Sequence, residues 1–150
     1  MPSDFDIIVR RKDTSEILLI CEVKMLREQI DNAELHLKEA MARLSCPLGL
    51  LFTPELLRIY LDRYTSDNPV QSIGTVGDFD ARPLLRHIYT PGRNGSERDF
   101  ETAVQNWLES LPQTFSSEDT DDKRLAAVLS TFILPAIASG RVSAAAPRYV

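Results

Sequence analysis

Two short apolar segments near the start of the chain constrain it most: Phe5-Asp6-Ile7-Ile8-Val9-Arg10 and Ile17-Leu18-Leu19-Ile20-Cys21-Glu22-Val23-Lys24. Both are rich in β-branched residues, and the polar stretch Arg11-Lys12-Asp13-Thr14-Ser15-Glu16 separates them, the pattern of a β-hairpin with a longer loop. The second segment is apolar on both faces until its last residues. That predicts a central, covered strand rather than one with a wet face.

Antiparallel pairing about Thr14 sets Val9 opposite Leu19, Ile8 opposite Ile20, Ile7 opposite Cys21 and Asp6 opposite Glu22. Directly opposed residues share a face, so the two carboxylates are expected side by side, and Lys24, two residues further on, points the same way. Like charges in that position cost stability unless a cation lies between them. A hard divalent ion with oxygen ligands is the natural occupant, and Mg²⁺ commonly binds through one or two carboxylates plus a substrate phosphate. If the register slips, Asp4 replaces Asp6 as the acid.

Beyond the hairpin, Leu26, Ile30, Ala33, Leu37, Ala40, Met41 and Leu44 recur at three- and four-residue steps, with Glu28, Asp31, Lys38 and Glu39 opposite, which predicts an amphipathic helix over 26–44. Ser45-Cys46-Pro47 ends it, and Leu48 to Phe52 reads as a third buried strand. Thr53-Pro54-Glu55 resembles a helix start with proline at the first position, running to about Tyr64; the spacing of Arg58 to Tyr64 fits a strand equally well. Val70 to Val76 is a candidate edge strand interrupted by Gly74, and Ala81 to Tyr89 has room for one or two helical turns. Thr90 to Gly95 is the clearest linker. Ser96, with Asp99 three residues on, is a capping pair for a helix through Leu111. Asp119 to Asp122 precede a long helix ending near Ser139-Gly140, with Pro135 expected to kink it. The tail Ser143 to Pro147 is weakly ordered by composition.

Length and charge narrow the function classes. The chain of 150 residues is 43% hydrophobic, enough for one domain with a real core: a sheet-containing part over 1–80 and a mainly helical extension over 81–150. No apolar run reaches the roughly 20 residues of a membrane span, and the acidic N-terminus is unlike a signal peptide. Cys21 and Cys46 form no CxxC and read as reduced, buried thiols, so the expectation is a cytoplasmic protein with no membrane partner. The net charge of −5 excludes bulk electrostatic capture of nucleic acid; any such contact needs a local patch, a metal ion or a basic partner.

Asp6, the later Glu22-Val23-Lys24 on an apolar strand, the amphipathic helix and the following strand resemble the PD-(D/E)XK nuclease superfamily. The likeness covers about Asp4 to Thr53 and is greatest to the N-terminal nuclease domain of type I restriction motor subunits. It implies a restriction-endonuclease-like α/β fold: a small mixed sheet of about four strands flanked by helices, with a helical C-terminal half. It further implies a metal-dependent nuclease acting on phosphodiesters, with DNA as the expected substrate. Asp6, Glu22 and the Val23 carbonyl would hold Mg²⁺ or Mn²⁺, and Lys24 would position water or stabilise developing charge.

The sequence departs from that pattern in three places. The proline expected before Asp6 is Phe5. The helical glutamine aligns with His36, while Gln29 lies on the same flank of the helix, so either is a candidate substrate contact. The helix and strand that usually open the superfamily core, the helix often bearing a metal-binding Glu, are missing upstream of Asp6. Their places fall to the C-terminal helices, to a second copy in a homo-oligomer or larger complex, or to the rest of a larger gene product of which this chain is one piece. The alternative reading is a catalytically inactive nuclease-fold module for protein or nucleic-acid interaction, or for oligomerisation. Outside this constellation, Trp107 is expected on the core face of its helix. His87 has no His or Cys neighbours for zinc, and Arg82, Arg86, Arg93 and Arg98 read as a solvated surface.

Overall fold

The computed structural model describes residues 5–86, 88–89, 96–116 and 120–145. Asp4, His87, Arg93, Asp119, Pro147 and the linker from Thr90 to Gly95, for which the sequence raises expectations, lie outside these residues.

The hairpin forms as its pattern demands. Strands β1 (Ile7–Arg11) and β2 (Ile17–Val23) pair antiparallel with Ile7 opposite Cys21, Ile8 opposite Ile20 and Val9 opposite Leu19. A single turn of 3₁₀ helix, Arg27–Gln29, leads into α1 (Ile30–Leu44), which ends where Ser45 adopts a left-handed φ of 53°. Strand β3 (Leu48–Phe52) then runs parallel to β2, as a crossover through a helix requires.

From Thr53 onward the helical expectation fails. Leu56–Asp62 is a strand, β4, antiparallel to β3. Thr53 does cap, but locally: its Oγ1 accepts the N–H groups of Glu55 (3.2 Å) and Leu56 (3.0 Å), a side-chain turn that carries the same residues as a helix N-cap. Leu57 and Ile59 face one core and Tyr60 the other, so the apolar spacing that fitted a helix is that of a strand covered on both sides. The edge strand lies later than expected, as β5 (Ile73–Asp80), followed by the short α2 (Arg82–Leu85).

Helix α3 (Glu97–Thr114) begins at Ser96, whose Oγ accepts the Asp99 N–H at 3.0 Å, and runs through Pro112. The long final helix is α4 (Lys123–Val128), a π-helical stretch over Leu129–Ile133, and α5 (Leu134–Ser139). Pro135 lacks an N–H to continue the ladder, and the widened turn just ahead of it takes the place of a sharp kink.

The tail brings the largest correction. Gly140–Ala144 is a sixth strand, β6, antiparallel to β1, where four strands, a helical second half and a weakly ordered tail were expected. The sheet order is β5-β4-β3-β2-β1-β6. One face packs α1 against Ile8, Ile20, Leu51 and Tyr60. The other packs α3, α4 and α5 against Ile7, Val9, Cys21, Leu50, Phe52 and Ile59. Trp107 meets Phe52 edge-on at 5.4 Å, on the core face of its helix as expected. The run from Leu125 to Ile137 buries Leu125, Leu129, Ile133 and Ile137 in that core. No helix among the described residues is long and apolar enough to cross a membrane.

Candidate functional site

The site lies where β1 begins and β2 and β3 end. Glu22 is 5% exposed, on the α1 face of β2, and the Lys24 Nζ comes back to 3.5 Å from its Oε1. Period-two alternation puts the ammonium over the carboxylate, and the Lys24 N–H donating to the Phe52 carbonyl at 2.8 Å fixes the strand end.

Asp6 departs from the simple register. Its N–H donates to the Cys21 carbonyl (2.8 Å), and its Oδ2 accepts the Val23 N–H (2.8 Å). Ile7 opposite Cys21 is therefore the last regular pair, and Asp6 caps the end of β2 instead of standing in rank with Glu22. The two acids remain within electrostatic reach. Burial above all, then the charge of Glu101 and a hydrogen bond with it, and finally the charge of Glu22, push Asp6 up to about 7, against the Val23 hydrogen bond that pulls it down.

Glu101, on the first turns of α3, is the residue that sequence reasoning missed. It flanks the buried stripe Phe100, Ala103, Val104 and Trp107, and packing of α3 on the sheet carries it to Asp6. A half-buried acid beside an otherwise apolar helical stripe was the available signal. Glu101 and Glu22 thus both act on Asp6 at this end of the hairpin, and Lys24 pairs with Glu22.

Of the remaining expected residues, Val23 is fully buried and gives its N–H to Asp6. Gln29 is exposed and uses its side-chain oxygen to accept the Leu26 N–H at 3.2 Å, tying down the turn before α1. His36 is exposed on α1. Cys21 is buried beneath the acids, which with desolvation hold its thiol well above its usual range and leave it neutral. Among the described residues, no group of three or more His, Cys, Asp or Glu side chains is arranged to hold a metal ion.

A second charged cluster lies along the same face. Arg58 donates to both oxygens of Asp78 (2.6 and 2.8 Å) and to Glu34 on α1 (3.0 Å), and Lys38 pairs with Glu34 at 3.2 Å. It fastens α1 to β4 and β5 and leaves Arg58 fully engaged. Compared with known proteins, the chain matches no family model, no curated protein and no solved structure.

Proposed function

We propose that the chain is a metal-dependent nuclease-like domain of the restriction-endonuclease-like type, hydrolysing phosphodiester bonds, DNA foremost. The observation that carries this reading is the buried Asp6 carboxyl at one sheet end, pushed up to about 7 by burial and by Glu101 and Glu22, with Lys24 paired to Glu22 beside it.

The order of elements supports it. Strand β6 lies against β1, and α3 carries an acid to Asp6, positions that the resemblance would give to the first strand and helix of the superfamily core.

By donor chemistry the carboxylate oxygens of Asp6, Glu22 and Glu101, with the Val23 carbonyl nearby in sequence, are hard ligands of the kind Mg²⁺ or Mn²⁺ takes, but they would have to draw closer together than they stand here to hold the ion. The ion would supply Lewis-acid polarisation of the phosphodiester and a more acidic bound water. The protein's own contribution is to keep Glu22 dry and oriented, to release the Asp6 proton so that the carboxylate can bind, and to aim the Lys24 ammonium at the charge that develops on phosphate.

The inactive-module reading keeps one observation in its favour. The Asp6 Oδ2 is occupied by the Val23 N–H, and the described acids stand apart from metal-holding geometry. Calorimetric Mn²⁺ titration with single-turnover cleavage of plasmid and linear DNA separates the two. A nuclease takes up the ion, loses uptake in Asp6→Ala and Glu22→Ala, and keeps uptake but loses at least about 100-fold in rate in Lys24→Ala. Absence of both uptake and cleavage in the unaltered protein leaves the module reading.

A further inference from the structure

The α1 face of the sheet is covered unevenly. Helix α1 packs on β2 and β3, whereas the helices touching β6 are α3 and α5, on the other side. Among the described residues, no helix covers the part of the α1-side surface where the far end of β1 lies against β6.

On that surface, Arg10 and Arg141 are directly opposed in the β1–β6 ladder. Alternation fixes their side. Val9 and Val142 pair on the face of α3 and α5, where a Cβ at Gly140 would also meet the Val9 side chain, so Arg10 and Arg141 point the other way, together with Ile8 and Ser143. Both are exposed, and among the described residues neither has an ion-pair partner, whereas neighbouring Arg11 pairs with Glu16. Two like charges set face to face across a ladder destabilise it. In a chain of net charge −5, acids to neutralise them were abundant. With no acid paired to either arginine among the described residues, a bound anion would relieve the repulsion between them.

We infer that Arg10 and Arg141 form a phosphate clamp for the nucleic-acid strand entering the acidic site. The site and the clamp lie at opposite ends of β1. Four residues at about 3.3 Å each separate Asp6 from Arg10 by about 13 Å, roughly four steps along one DNA strand at about 3.4 Å each. One strand can therefore contact both. Guanidinium groups take phosphate oxygens bidentately, and the local positive charge overcomes a surface that is otherwise repulsive to polyanions. The inference rests on the nuclease reading for its direction, but not for its test.

The test is binding of fluorescein-labelled 20-nucleotide single- and double-stranded DNA in EDTA, across 50–300 mM KCl, so that no hydrolysis is required. Substituting both arginines (Arg10→Gln with Arg141→Gln) should weaken duplex binding at least tenfold at 100 mM salt and lower the slope of log affinity against log salt by about 2. The conservative pair Arg10→Lys with Arg141→Lys should keep that slope. The unfolding midpoint of the Gln pair should equal or exceed that of the parent, since a repulsive pair is removed; Arg141→Glu alone gives a second variant, expected to be stable and, losing the same net charge of two, to bind about as weakly. Unchanged affinity and slope in folded variants overturn the clamp whether or not the protein cleaves DNA, and so does absence of binding by the parent. Loss of slope in a protein that never cleaves keeps the clamp and overturns the nuclease.

Discussion

Asp6 is where proton and metal would compete. Its carboxyl is raised from 3.8 to about 7 chiefly by burial, so the folded state holds a proton that the unfolded chain gives up near pH 4. For a raised pKa the contribution to stability is full below the unfolded value and is lost as pH rises to the folded one. The fold should therefore weaken between about pH 4 and 7, by a few kcal/mol at most, and level off above. Asp6→Asn should remove that slope from urea midpoints measured across the range; an unchanged slope would assign it to another group. Mg²⁺ affinity should rise over the same interval, and calorimetry in buffers of different ionisation enthalpy should register about one proton released per ion bound near pH 6. Of the residues involved, Glu22 and Lys24 were legible from strand period alone. Glu101 was not, because a helix face says which side is apolar but not which strand end its flank will reach.

Among the elements, β6 illustrates how little local signal a strand needs. Gly140-Arg141-Val142-Ser143-Ala144 holds a single large apolar residue, yet it closes the sheet because β1 offers a free ladder and Gly140 lets the backbones approach. A Cβ there would sit 2.5 Å from the Val9 Cγ1 and 2.8 Å from the Ala136 carbonyl oxygen, neither of which can swing away. Gly140→Ala should cost about 1–3 kcal/mol in urea unfolding. Gly74→Ala is the matched control: its nearest neighbour is the flexible Arg63 guanidinium at 3.4 Å, and its cost should stay within about 0.5 kcal/mol. At Gly77 a side chain would displace the end of Arg124, whose Nη2 donates to the Val76 carbonyl on the sheet edge at 3.0 Å, and would press on the Phe79 ring. The helical reading of Thr53 to Tyr64 failed on a different point, whereas the strand reading of Arg58 to Tyr64 held in β4. Thr53-Pro54-Glu55 makes a side-chain turn in either context, and only the neighbours of Leu57, Ile59 and Tyr60 decide between helix and strand.

At the scale of the molecule, one sheet carries both helical layers, and the first and last strands of the chain are neighbours. Trp107 sits against Phe52 at the junction between α3 and the central strands. If the layers unfold as one unit, its fluorescence and the far-ultraviolet circular dichroism should give coincident urea transitions; separated midpoints would divide the residues beyond 81 from the sheet. Ending the chain after Ser139 should expose the β1 edge, lower the midpoint and promote association, read by light scattering.

By itself the sequence determined the hairpin, its register from Ile7 to Val9, the amphipathic α1 and the third strand, because each is set by periodicity and by partners close along the chain. Tertiary structure alone decided that a strand 130 residues away would close the sheet, that Asp6 would turn to cap β2, that Glu101 would join it and that Arg10 would face Arg141. Those contacts depend on which surfaces remain unsatisfied once the local elements have formed, and no local pattern records that.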